Sequence, residues 1–497
     1  MDKALEYLRK EMGYNISASD YYNKIEEWIN IWKGKAAWLD INTVDGSKYP
    51  MYSLGMAKRS CEDLASVITS EPFDIKAASN DEILQEDIKK TKLFKKLPKA
   101  IEKMAYSGTV GTIIRIKNAE VVGEGEDAYL KKTDKTKKEI INVKANQIIP
   151  LAWDDDELID AAFVSECNKI VDNKKTELIY IEVHQLKEKG YQITNVYLNK
   201  ENGKEVNLEG VLSSYNTLSQ VPLFNICKNE KDNIFDDNLG LGMAIYGDSI
   251  DQLRMLDLTY NNFGMDFRLG QKVMVINKKL TRVETEEYED KDEEGKPVIK
   301  ERQRVFYPTD LQKQQFMEIT EGIFGNGDTK NPYIHEYNPD LRVGDNKEGI
   351  QFALDNYSFK IGYGTDYYSF DSTGISRTPS TATEAVISRQ DFVDNMNKVR
   401  KSVNEYLKGV CKALLLSEKI LGNANIDENQ EIEVAEVDNF LQDDESYREK
   451  IRQDAQAGFL SKKTYLMKAY NLDEKEAEEE LQRIEEEDSI TRIELGE

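Results

Sequence analysis

Apolar residues recur at helical spacing through the first hundred positions. Tyr22, Ile25, Trp28, Ile29 and Trp32 share one helix face, and Leu54, Ala57, Cys61, Leu64 and Ile68 share another. Glu71-Pro72 stops the second helix, because the residue before a proline is pushed out of the α region. A further amphipathic stretch runs from Leu93 to Tyr106 and meets Ser107-Gly108. The period then changes. Thr109–Ile116, Ile140–Val143, Ala161–Val164 and Leu178–Val183 are separated by polar turns and read as strands. A helical block followed by a mostly antiparallel block predicts an α+β, helix-rich chain.

The helical period returns over 239–269, where Ile250, Leu253, Leu256, Tyr260, Phe263 and Phe267 form one apolar stripe. Lys272–Asn277 reads as a strand, Glu284–Glu301 as an acidic hairpin, and Val305–Tyr307 as another short strand. A second helix is expected over Val343–Tyr363, with Ile350, Leu354, Tyr357 and Ile361 on one side. Residues 364–380 are turn-formers with aromatics clustered at the start, hence a loop. A long helix follows, opened by a capping box in which Thr381 and Glu384 satisfy each other's backbone N–H groups. Its apolar line is Phe392, Met396, Val399, Val403, Leu407, Val410 and Leu414. Unbroken to Leu421, such a helix would be about 60 Å long. Two further helices fit the tail, near 443–457 and 461–485.

Composition narrows the function. The 497 residues carry 92 Asp+Glu against 67 Lys+Arg, a formal net charge of -25. More than half of that sits in residues 427–497, which hold 23 acidic and 9 basic side chains, a net -14. Wholesale gripping of nucleic acid needs Lys and Arg, so this balance argues against it. It remains compatible with a surface that surrounds nucleic acid without holding it. Cys61, Cys167, Cys227 and Cys411 lie far apart with no CxxC spacing, which excludes a zinc ribbon and gives no disulfide framework. No apolar run is long enough to span a membrane and no signal core opens the chain, so a cytoplasmic protein is expected.

Catalytic signatures are scarce. Gly322–Lys330 is glycine-rich but lacks the Gly-Lys-Ser/Thr end of a phosphate loop. Gly240, Gly242 and Gly247 miss the dinucleotide spacing. His184 and His335 are the only imidazoles, and both read as structural. Asp154-Asp155-Asp156 reads as an acidic surface turn. The run Asp290–Gly295 with Glu301 nearly fits a calcium loop. Glu294 at the fifth position, Pro297 at the eighth and strand-like flanks favour an acidic β-turn instead. No cofactor or metal is expected.

The order of these elements, with particular strings, resembles the portal proteins of tailed bacteriophages infecting Gram-positive bacteria. The strings are Val221–Cys227 leading to Leu239–Tyr246 and Ile250–Phe263, then Asn338–Val343, then Phe370-Asp371 followed by Thr381–Val386. Met56-Ala57-Lys58 and Asp63-Leu64-Ala65 agree more loosely. The resemblance covers roughly residues 220–420.

It implies a homo-oligomeric ring of about twelve subunits at one capsid vertex. Residues 1–235 would be the wing, 236–271 and 339–363 the two stem helices, and 272–338 the clip. Residues 364–380 would be the tunnel loop, 381–425 the long wing helix, and 426–497 an acidic helical crown. Double-stranded DNA would pass without sequence specificity along Asp366, Tyr367, Tyr368, Ser369, Asp371, Ser372, Thr373, Arg377 and Thr378. Hydroxyls and few cations suit a conduit, since each phosphate ion pair adds grip. The clip, through Glu284, Glu286, Glu287, Asp290, Asp292, Glu293, Glu294 and Lys296, would meet the terminase and then the head–tail adaptor. Major capsid and scaffolding proteins would be further partners, in the virion and, during assembly, the host cytoplasm. The tunnel segment departs from the family's pattern, being interrupted by Ser376–Ser380. The alternatives are a cytosolic helical scaffold or calcium-regulated adaptor, and a DNA-packaging enzyme.

Overall fold

The computed structural model describes residues 2–16, 20–42, 48–70, 72–123, 128–154, 157–171, 174–208, 212–235, 239–270, 273–277, 283–291, 297–305, 316–319, 334–337, 340–365, 367–369, 390–423, 425–435, 451–453, 455, 460–470, 477–478 and 480–483. Helix α1 (Asp2–Lys10) precedes α2 (Tyr21–Trp32) and a short pair, β1 (Asp40–Asn42) with β2 (Lys48–Pro50). Helix α3 (Met56–Ile68), strand β3 (Asp74–Ala77), α4 (Asp81–Thr91) and α5 (Leu93–Ser107) complete the helical block. The apolar faces read from the sequence are the ones that go inward: Ile25, Trp28, Leu64, Ile68, Leu97 and Ile101 are all buried.

The change of period at Gly108 is real. Strands β4 (Thr109–Lys117), β5 (Glu120–Val122), β6 (Tyr129–Lys131), β7 (Lys137–Lys144), β8 (Ile148–Asp154), β9 (Glu157–Val171), β10 (Lys174–Lys187), β11 (Gly190–Asn199), β12 (Ser214–Asn216) and β13 (Phe224–Lys228) follow. Eight of them form an antiparallel five-stranded sheet in the order β12-β11-β10-β9-β8 and a three-stranded sheet in the order β13-β4-β7, while β5 and β6 pair separately. Successive side chains on a strand face opposite ways. One face of the larger sheet therefore joins the main core through Ala161 and Phe163, while Ile179, Ile181 and Val183 form a second cluster with Ala4 and Leu8 of α1.

Helix α6 (Ile250–Leu269) is followed by β14 (Val273–Asn277), the hairpin β15 (Val283–Lys291) with β16 (Pro297–Val305), β17 (Phe316–Ile319) and β18 (Ile334–Tyr337). Strand β14 pairs in parallel with β17 and antiparallel with β18. Helix α7 (Val343–Ile361), α8 (Gln390–Ile420), β19 (Ile432–Ala435) and α9 (Lys462–Tyr470) complete the order. The chain is thus α+β. Helix α8 has 31 residues, about 46 Å of rod, and acts as the spine of the body. All seven residues of its expected apolar line are buried, and Leu414, Leu415 and Leu416 are enclosed on successive positions.

Two expectations need revision. Residues 239–249 are turns, and α6 begins only at Ile250. Leu239 and Gly240 take positive φ, and Gly242 lies so close to Gly108 that a Cβ there would sit 2.5 Å from the Gly108 carbonyl oxygen. A helix cannot be threaded through that crossing. Second, residues 426–435 belong to the body rather than to a separate tail. Ile426 and Ile432 are buried, and β19 pairs antiparallel with β3. The described part of the long helix starts at Gln390; Thr381 and Glu384 lie outside the described residues. Of the two tail helices, 462–470 falls within the second span.

Candidate functional site

Helices α6 and α7 pack on one another as an arm interrupted by the β14–β18 strands. Leu253 and Leu256 from α6, and Ile350, Leu354, Tyr357 and Ile361 from α7, turn inward. Buried polar anchors fix the arm to the body. Asp257 accepts hydrogen bonds from Trp38 Nε1 at 3.0 Å, Ser53 Oγ at 2.8 Å and the Leu54 N–H at 3.0 Å. Asn261 Oδ1 accepts from the Tyr52 N–H at 3.1 Å, and the Tyr52 ring packs where a side chain on Gly264 would go. The Tyr357 hydroxyl pairs with Ser60 Oγ at 2.8 Å. At the other end Asp266 accepts from Arg342 Nη2 at 2.7 Å and Asn346 Nδ2 at 2.6 Å. Those bonds hold the Asp266 carboxyl below its ordinary range.

The outer faces of this arm are apolar where water meets them. Helix α6 exposes Met255 (43%) and Leu258 (48%), and α7 exposes Phe352 (60%) and Phe359 (63%). Scattered exposed apolar residues are ordinary, but two aromatic rings one helical face apart on the same short helix form a patch. At 1.5 Å per residue, Phe352 and Phe359 stand about 14 and 24 Å from the start of α7. Leu258 and Met255 stand about 17 and 21 Å from the end of α6, which is the same end of the arm. The two stripes lie at matching heights. Sequence reading assigned the inward stripes of these helices, except that Phe267, placed in the α6 stripe, is 47% exposed, and it passed over the outward ones, although Phe352 and Phe359 at i and i+7 were a visible signal.

The residues expected to line a channel divide. Tyr367 stacks on Phe392, with ring centroids 4.9 Å apart, and meets Tyr363 edge-on. The Tyr368 hydroxyl donates to Asp63 Oδ2 at 2.9 Å, and its carbonyl accepts from Gln351 Nε2 at 2.9 Å. Burial and the Asp63 carboxylate push the Tyr368 phenol far above its ordinary pKa. Both rings are therefore half-buried anchors that tie the loop to α3, α7 and α8. Ser369 is exposed. Asp366, Asp371, Ser372, Thr373, Arg377 and Thr378 lie outside the described residues.

In the expected clip, Glu284, Glu286, Glu287 and Asp290 all lie on β15. Register places Glu284 opposite Arg304 and Glu286 opposite Arg302. Asp290 stands opposite Val298 and Glu301 opposite Glu287. That ladder replaces the helix–loop–helix of a calcium loop. Asp292, Glu293, Glu294 and Lys296 lie outside the described residues.

His184 is fully buried, its Nε2 3.2 Å from Glu182 Oε1, and Phe163 and Phe224 meet its ring edge-on. Arg115 donates to the same Glu182 carboxylate and lies over the Tyr180 ring. Desolvation would raise the Glu182 carboxyl, but Arg115 and His184 outweigh it and hold it low. This is a sheet-to-sheet tie. His335 lies in β18 opposite Val275. A cleft of about 890 Å³ between β13 and α8 is lined by Asn225, Lys228, Lys231, Glu405 and Tyr406. The Cys227 thiol at its edge is pushed up to about 12 by burial, which keeps it protonated and unreactive. Among the described residues no helix is long and apolar enough to cross a membrane. No protein-family model matches the chain, and no curated protein matches it in sequence.

Proposed function

We propose that the chain is one subunit of a ring-shaped, portal-type conduit for double-stranded DNA, with a structural rather than an enzymatic role. The observation that carries this reading is the pair of unlike apolar stripes at matching heights on the α6–α7 arm. A contact that seats the α7 stripe of one copy on the α6 stripe of the next is heterologous, and a heterologous contact that closes on itself makes a ring. Burying each exposed Phe, Leu or Met contributes about 1.5–3 kcal/mol. On this reading α6 and α7 are the stem, the β14–β18 strands are the clip that meets the terminase and later the adaptor, and the acidic tail lies beyond the wing. The loop after Ser369 enters the channel, with Tyr367 and Tyr368 as its fixed root.

Deletion of residues 366–378 tests the channel role. Assembly should be retained, because the stripes on α6 and α7 are untouched, while packaging or retention of DNA should fall. Unchanged packaging by the shortened protein would remove the loop from the channel.

A further inference from the structure

The three-stranded sheet β13-β4-β7 leaves β13 (Phe224–Lys228) as an edge. Its pairing with β4 shows which way each backbone group faces. The Ile114 N–H donates to the Leu223 carbonyl at 2.8 Å, and the Asn229 N–H to the Gly108 carbonyl at 3.0 Å. Ladder bonds to β4 therefore fall on the odd-numbered residues, and Phe224, Ile226 and Lys228 turn their N–H and C=O groups outward. Among the described residues no hydrogen bond is made on that side by Phe224 or Ile226. The outward side is the cleft of about 890 Å³, whose lining takes in β13 and no residue of β4. Its walls are the two layers that cover the faces of β13. The Phe224 ring meets Phe163 of β9, with centroids 5.2 Å apart, and Leu158 of β9 lines that wall. Cys227 Sγ lies 3.3 Å from Met104 Sδ on α5, and Ser402, Glu405 and Tyr406 of α8 line the other.

We infer that this edge takes up an extended peptide of a partner protein as an added strand, apolar on one face and basic on the other. In such pairing main-chain bonds supply the affinity and alternate side chains the specificity. A short strand bracketed by Pro222 and Lys228 also suits an edge kept from pairing. The room beside it decides between the two. Five strand residues span about 17 Å, and at one strand spacing by one sheet spacing, about 4.8 by 10 Å, they fill about 800 Å³. The cleft of about 890 Å³ matches that volume. A residue set opposite Ile226 points toward the Leu158 wall, and its neighbours point toward the Glu405 wall. Glu157, Glu230, Asp232 and Glu405 are exposed at the cleft, against the two lysines of its lining, Lys228 and Lys231. Lys231 Nζ is taken up by Asp248 and by the carbonyls of Ile245 and Lys360. The acidic rim therefore favours a cationic segment and repels the same edge of a second copy. Such docking goes beyond the portal reading and needs no ring.

The test uses the full chain and a fluorescent peptide, Lys-Val-Lys-Ile-Lys-Val-Lys, read by anisotropy. Saturable binding below about 1 mM is expected, and its absence would overturn the inference. In an antiparallel added strand the Val and Ile amides face β13 and the Lys amides face away. N-methylation of the first set should weaken binding at least about tenfold, and of the second set less than about threefold. The reverse preference would equally establish strand addition, in the parallel sense. Equal losses from the two sets would mean that charge alone holds the peptide, and would overturn it. Ile226→Pro removes only the outward N–H, so the native circular dichroism should persist while peptide affinity falls at least about tenfold. Ile226→Val should keep both. Glu230→Lys/Asp232→Lys should switch preference to Glu-Val-Glu-Ile-Glu-Val-Glu, and no switch would overturn the choice of a basic partner. Dimers of the peptide-free chain that Ile226→Pro dissolves, with no peptide bound, would assign the edge to a second copy and overturn the inference.

Discussion

Gly108→Ala is expected to cost about 4 kcal/mol or more, the range reserved for changes that break a specific feature. Gly108 closes α5 with φ of +81°, a left-handed conformation that costs an L-residue about 1–2 kcal/mol. The larger cost is steric. A Cβ at this position would lie 2.1 Å from the Gly242 carbonyl oxygen and 2.7 Å from the Met243 carbonyl carbon, both backbone atoms. The crossing is also bonded: Asn229 N–H donates to the Gly108 carbonyl at 3.0 Å, and Gly242 N–H to Thr109 Oγ1 at 2.8 Å. Moving one strand away breaks those bonds inside the core. Gly34→Ala is the control, since Gly34 has a similar φ of +70° and open space around it. Chemical denaturation should show the Gly34 variant losing only the conformational part, about 1–2 kcal/mol. Equal losses at the two sites would mean that the crossing is not tight.

Phe352→Glu/Phe359→Glu is expected to abolish assembly and leave the subunit folded. Both rings are mostly exposed in the single chain, so polar replacement removes little intramolecular packing. In the proposed assembly the same change deletes two buried aromatics, about 3–6 kcal/mol for each interface, and buries carboxylates without partners. At 1.4 kcal/mol per tenfold, affinity between copies drops at least a hundred-fold. Sedimentation velocity reads the outcome as a shift to monomer with an unchanged thermal transition. Met255→Glu/Leu258→Glu should reproduce it from the opposite side of the interface. Assembly unaffected by either pair would disconnect the arm from oligomerisation.

Elements with a strong period were legible. The faces carried by Trp28, Leu64, Met104 and Val403 repeat every three or four residues because each is set by its own helix and one core. What escaped depends on partners remote in sequence. The helical reading of 239–249 failed because the Gly108–Gly242 crossing lies 134 positions apart in the chain; Gly240, Gly242 and Gly247 were the local warning. Tyr367 and Tyr368 looked like free loop aromatics because Phe392 and Asp63, which fix them, belong to other elements. Residues 426–435 were grouped with the tail by their acidity. Yet Ile432 and Val434 alternate with Glu431 and Glu433, a strand period that charge counting masked. A local net charge of +8 over residues 89–144 vanished in the same way inside a total of -25. Charge summed over a chain reports solubility and self-repulsion, whereas binding follows its local distribution.

Negative-stain imaging of the purified full chain tests ring formation most directly. The expected result is closed rings of uniform diameter with a central stain-filled channel, built from about twelve copies. Monomers without rings at every protein and salt concentration tried would contradict it.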